Sequence, residues 1–202
     1  SGGIDSSLIT AVASKLSHYP VKCFTLNVKN HTDEDLRHAI QLYEEFHNLK
    51  HIPVDINSNI FSVENLDDVT KHLEEIVLNR ISLYVNTNYK SVHHHHLKAA
   101  LNGQGSDEIS LGYYSYYDFM HHNEKMLTFH NFSEYWYRQF TLKNYMTKQD
   151  CIRLIEQNLT KNFLPYKCDD VLNQTLAFGI KTHLLNILNH EDRFSMKESV
   201  EC

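Results

Sequence analysis

Ser1-Gly2-Gly3-Ile4-Asp5-Ser6-Ser7 gathers two adjacent glycines, three hydroxyls and one carboxylate into seven residues. An apolar, helix-compatible run follows at once: Leu8, Ile9, Ala11, Val12, Ala13 and Leu16. Glycine lets a backbone approach a ligand closely. A helix N-terminus offers unpaired N–H groups and a partial positive charge. The pattern predicts a phosphate cradle leading into a helix. The hydroxyls add donors, and Asp5 suits a hard cation such as Mg²⁺. A Gly-Gly turn with Ser6 or Ser7 capping the helix is the plainer reading. The order Gly-Gly, Asp, Ser-Ser favours phosphate. The Walker pattern G-x-x-x-x-G-K-[ST] is absent.

Working outward, residues 6–17 read as the helix leaving this loop. Val21–Val28 reads as a strand, apolar and β-branched. Asn30–Asp33 offers turn and N-cap chemistry, and Glu34–Phe46 carries Leu36, Ala39, Ile40, Tyr43 and Phe46 at helical spacing. His51–Ile56 reads as a short strand, with Pro53 pointing to an edge or end. This alternation predicts an α/β fold, a parallel doubly wound sheet with helices on both faces. Val63–Asn79 is expected as one helix, Lys90–Leu97 as another, and Lys98–Asn102 as a buried strand. Arg80–Tyr89 fits neither pattern. From Gly112 onward aromatic-rich helical segments dominate, at about 131–141, 147–160 and 170–189. The expectation is one domain over 1–202, with an α/β part (1–111) and a helical part (112–202). A loop of this kind needs a strand before it, so truncation at the N-terminus is expected.

Composition is that of an ordinary globular protein, 42% hydrophobic and 22% charged. The formal net charge is −6 and no basic patch stands out, which argues against a nucleic-acid partner. Four scattered cysteines form neither a zinc pattern nor a disulfide framework, which suits reduced thiols in the cytoplasm. No apolar run approaches a membrane span.

Gly103-Gln104-Gly105-Ser106-Asp107-Glu108 mirrors the first loop: backbone freedom, then carboxylates where a helix should begin. In a parallel sheet, loops at the carboxyl ends of strands converge on one crevice. Asp5 and Asp107 are therefore candidates to face one metal–pyrophosphate group. A glycine turn capped by Ser106 or Asp107 is the alternative.

The opening seven residues resemble the PP-loop of the ATP pyrophosphatase superfamily. Asn102–Glu108 with Gly112-Tyr113 resembles the G-[EQ]-G-x-D-E…G-Y segment of class B asparagine synthetases, and His190–Cys202 resembles their E-D-R-x-S-M-x-x-S-x-E segment. Three motifs in order span the whole chain. There are departures. Gln104 stands where many members have Glu, Ser110-Leu111 replaces the usual F-G, and the region of Arg80-Ile81-Ser82 lacks the D-E-P turn.

The resemblance implies an ATP- and Mg²⁺-dependent ligase that adenylates a small carboxylate, aspartate foremost, releases pyrophosphate and lets ammonia attack. It places Ser1, Gly2, Gly3, Ser6 and Ser7 on pyrophosphate, Asp5 and Asp107 on Mg²⁺, and the Leu26 backbone on adenine. Gly103 joins the nucleotide site and Gln104 lies near the acyl-acceptor site. Asp192 and Arg193 either serve catalysis or buttress the active-site wall. The family's catalytic lysine is expected beyond Cys202, so the resemblance implies truncation at the C-terminus as well. Ammonia is expected from a glutaminase domain upstream. Without one, an amine substrate is needed, as in β-lactam synthetase or lasso-peptide cyclase relatives. A scaffold without catalysis is a third option, and homodimerisation is left open.

His93–His96 cannot converge on one ion from consecutive helical positions about 100° apart. The aromatic clusters at Tyr113–Phe119 and Phe132–Phe140 read as core or interface rather than a base-stacking platform.

Overall fold

The computed structural model describes residues 2–28, 34–75, 80–114, 121, 133–134, 137, 144–163 and 171–202. Ser1, the expected turn at 30–33, the expected helix end at 76–79 and most of both aromatic clusters lie outside them. The chain forms two units. One joins Ser1–Gln104 with Ile187–Cys202, and the other is Gly105–Asn186.

The first unit begins with helix α1 (Ile4–Leu16), strand β1 (Val21–Val28), helix α2 (Glu34–Glu45) and strand β2 (Leu49–Ile56). The strands pair in parallel, Val21 opposite Leu49 through to Val28 opposite Ile56. Thr25 reaches from β1 to the Tyr43 hydroxyl of α2 at 2.8 Å. One 3₁₀ turn (Ser58–Phe61) leads to α3 (Val63–Leu73), then α4 (Ile81–His94). Ser62 caps α3, its hydroxyl accepting from the Asn65 N–H at 3.3 Å.

The second unit holds the short helix α5 (Ser106–Ser110), then α6 (Lys148–Phe163), α7 (Val171–Gly179) and a π turn (Ile180–Leu184). Thr147 starts α6: its hydroxyl accepts from the Asp150 N–H at 3.2 Å and donates to the Asp150 carboxylate at 2.6 Å. Helix α8 (Leu185–Lys197) follows the π turn, and its residues from Ile187 belong to the first unit.

The first unit's core joins distant segments. Ile56, Ile60, Val69, Leu73, Leu83, Tyr89 and Val92 bury together with Phe194 and Val200. Thus α8 and the segment after it close the same core that β2, α3 and α4 build.

The structure corrects three expected elements and shows part of the expected sheet. Among the described residues the sheet has two parallel strands, short of the doubly wound sheet expected. Lys98–Asn102 is not a strand: it makes one parallel bridge, Ala99 to Glu201, and leaves Leu101 80% exposed. Two alanines give this segment little branched surface to pack, and its partner offers one residue. The helix expected from Val63 stops at Leu73, because Glu74 turns left-handed (φ 56°). The helix expected from Lys90 begins instead at Ile81, taking in Arg80–Tyr89 except its first residue. Among the described residues no helix is long and apolar enough to cross a membrane.

Candidate functional site

Helix α1 opens on Gly3, which is extended (φ −67°, ψ 153°), and no side chain caps it. Its first backbone bond runs from the Ser7 N–H to the Gly3 carbonyl at 3.0 Å, and the Ser6 hydroxyl donates to the same carbonyl at 3.1 Å. Asp5 stands in the first turn. Gly2, Gly3, Asp5, Ser6 and Ser7 therefore form one turn at a positive helix end. Ser1 lies outside the described residues.

Gly103 meets this turn directly. A Cβ at position 103 would lie 3.0 Å from Asp5 Cβ and 3.0 Å from the Ser6 nitrogen. The second glycine loop thus presses its backbone against the first, closer than most side chains would sit without a small shift. A helix N-terminus with no side-chain cap, closed on one side by glycine backbone, is of the kind that can hold a phosphate group. Asp5 carries a carboxylate, the type of oxygen donor that could hold a hard cation such as Mg²⁺. Leu26 sits in β1 opposite Val54, its side chain packed on the core.

Gln104 follows Gly103 into a polar network. Its backbone N–H donates to the Asn102 side-chain oxygen at 3.1 Å, an Asx turn that shapes the loop. Its side-chain amide donates to Glu191 Oε1 at 3.2 Å. Glu191, on α8, is only 8% exposed. The carboxylate's other oxygen accepts from the Tyr89 hydroxyl of α4 at 2.5 Å. The Tyr89 oxygen also lies 2.7 Å from Cys202 Sγ. A phenol has one proton and a carboxylate is the stronger acceptor, so that proton goes to Glu191. Burial, then the Glu191 charge, pushes the Tyr89 phenol far above its usual range, so it stays a donor. Burial chiefly also raises the Cys202 thiol.

Arg193 sits elsewhere in this unit. Its guanidinium donates to the Leu73 carbonyl at 2.8 Å, the His72 carbonyl at 3.2 Å and the Glu74 carboxylate at 3.3 Å. Those are the last carbonyls of α3, which Arg193 caps from one α8 turn. Lys197, one turn further on, binds Asp68 of α3 at 2.6 Å, and Lys90 of α4 binds the same oxygen at 3.2 Å.

In the second unit, Asp107 and Glu108 begin α5. The Asp107 carboxylate lies over Gly112, where an added Cβ would fall 1.7 Å from its Oδ1. Glu108 is 1% exposed. It accepts from the Tyr113 hydroxyl at 3.0 Å and meets His183 Nδ1, on the π turn, at 3.1 Å.

Sequence reasoning missed Glu191, Tyr89, Glu108 and His183 as members of polar clusters. Glu191 and Glu108 each adjoin a motif aspartate, which is a signal of sorts; Tyr89 and His183 carry none. Of the consecutive histidines, His93 Nδ1 meets the Glu198 carbonyl at 2.6 Å and His95 Nδ1 the Ser91 carbonyl at 2.8 Å. Among the described residues no three His, Cys, Asp or Glu side chains cluster as a metal site.

The family model described as Asparagine synthase matches residues 1–202. No curated protein and no solved structure matches the chain.

Proposed function

This chain belongs to the asparagine synthase family, and from that premise we propose that it adenylates a carboxylate, aspartate foremost, and passes the acyl group to ammonia. The family is one of ATP-dependent amide-forming ligases. The observation that carries the reading is the approach of Gly103 to the first turn of α1, 3.0 Å from Asp5 Cβ. It joins two family motifs, separated by about a hundred residues, into one cradle.

In this reading Ser1, Gly2, Gly3, Ser6 and Ser7 hold the pyrophosphate moiety through backbone N–H groups and hydroxyls. Asp5 is the carboxylate for Mg²⁺, and Asp107 is assigned as its second carboxylate on the motif alone. Mg²⁺ supplies charge compensation as pyrophosphate departs. Gly103 keeps the backbone close enough to exclude water from the cradle. The Leu26 backbone faces adenine. Gln104 borders the acyl-acceptor site as a neutral residue that orients the incoming amine and takes no proton from it. Arg193 acts at a distance, by fixing α8 to the end of α3.

The decisive experiment supplies the purified protein, within its full-length chain, with ATP, Mg²⁺, aspartate and ammonia or glutamine. Pyrophosphate and asparagine should appear together. Pyrophosphate without asparagine would assign another acid–amine pair. No pyrophosphate with any acid tested would leave a nucleotide-binding scaffold.

A further inference from the structure

We propose that Glu191 is the positioning residue for Gln104: it holds the amide by its nitrogen and thereby presents the amide oxygen, a neutral acceptor, to the N–H of the attacking amine. The argument starts from valence. A carboxylate accepts only, so the Gln104 group facing Glu191 Oε1 at 3.2 Å must be the NH₂ end. The oxygen end is then directed away from Glu191. Glu191 cannot turn to suit another partner. It is 8% exposed, and its second oxygen is held by Tyr89 at 2.5 Å. Tyr89 is itself buried, at 4% exposure. The Asx turn on Asn102 fixes the Gln104 backbone as well.

The same geometry explains why position 104 carries an amide. A glutamate there would set a second carboxylate at hydrogen-bond distance from a buried first one. Two such carboxylates cannot both ionise. The groups facing Glu191 are Gln104 of the second loop, Tyr89 of α4 and, through Tyr89, Cys202. No cation is among these partners to relieve a second charge.

Two readouts test this, one free of the activity. Gln104→Glu should lower Tm by ~5 °C at pH 8 and by much less at pH 5, where the pair shares a proton. The reciprocal swap Gln104→Glu/Glu191→Gln should restore the pH 8 value, because the amide and carboxylate have only changed places. The second readout rests on the amide-ligase reading. Glu191→Gln should raise KM for ammonia about tenfold, roughly one hydrogen bond's worth, while KM for ATP moves less than twofold. A pH-independent loss in Gln104→Glu that the swap does not rescue would overturn the pairing. A rescued swap with both KM values of Glu191→Gln moving together would overturn the positioning role. Should the wild-type chain release no pyrophosphate, the ligase reading fails, while the stability cycle still decides the pairing.

Discussion

An alanine at position 103 would push its Cβ to 3.0 Å from the Ser6 backbone nitrogen and Asp5 Cβ. Neither is the far end of a flexible side chain, so the loop or the first turn of α1 must shift by a few tenths of an ångström. Gly103→Ala should therefore cut acid-dependent pyrophosphate release at least about tenfold and raise KM for ATP, with a modest fall in Tm. Unchanged kinetics would show that the close approach has no part in binding ATP. This contact was half legible. Glycines and carboxylates in order announce a cradle, because backbone freedom and charge are local properties. Glu191 was not legible, because its partner Gln104 is 87 positions away and only the fold makes them neighbours.

Helix α3 ends where Arg193 takes its carbonyls. Arg193→Ala should destabilise the protein by about 1 kcal/mol, read by urea unfolding, since the last carbonyls of α3, part-buried only at Leu73, lose a charged donor. Arg193→Lys should recover part of that, because one ammonium cannot reproduce the guanidinium fork. A variant of wild-type stability that nonetheless lost turnover would instead place Arg193 at the chemistry. Helix α4 shows why elements differ in legibility. Its buried positions are Ser82, Leu83, Asn86, Tyr89 and Val92, at helical spacing but with two polar members. An apolar-period search therefore passes over them. Asn86 is tolerated inside because it lies 3.4 Å from both Asp68 and Lys197. β1 and α2 were legible because their own side chains declare the period.

The first unit is closed by residues from both ends of the described chain, and its stability should carry the mark of that closure in acid. Partial burial would raise the Asp68 pKa, but Lys197 and Lys90 outweigh it and hold it down to about 2. A depressed folded-state value means a contribution fully present above the ordinary value near 3.8 and lost as pH falls through about 2. Asp68 is over a third exposed, so solvent screening reduces the contribution to about 1 kcal/mol. Asp68→Asn should remove that much at pH 6 and nothing near pH 1.5, measured as the difference in unfolding free energy from wild type. A constant difference across this range would refute the ion-pair account. His51 adds a shallower term: burial lowers its pKa, so stability also declines as pH drops below about 6.5.

The sequence by itself determined the local chemistry: a glycine-and-carboxylate turn opening a helix, a parallel pairing announced by strand–helix–strand, and motifs that place the chain in one family. Those features depend on neighbours within a few residues. Tertiary structure alone decided which distant groups meet. It put Gly103 on Asp5, turned Glu191 toward Gln104 and Tyr89, spent Arg193 on the end of α3, and reduced Lys98–Asn102 to a single bridge. Each of these depends on a partner 87 to 121 positions away, and no local period encodes such a partner.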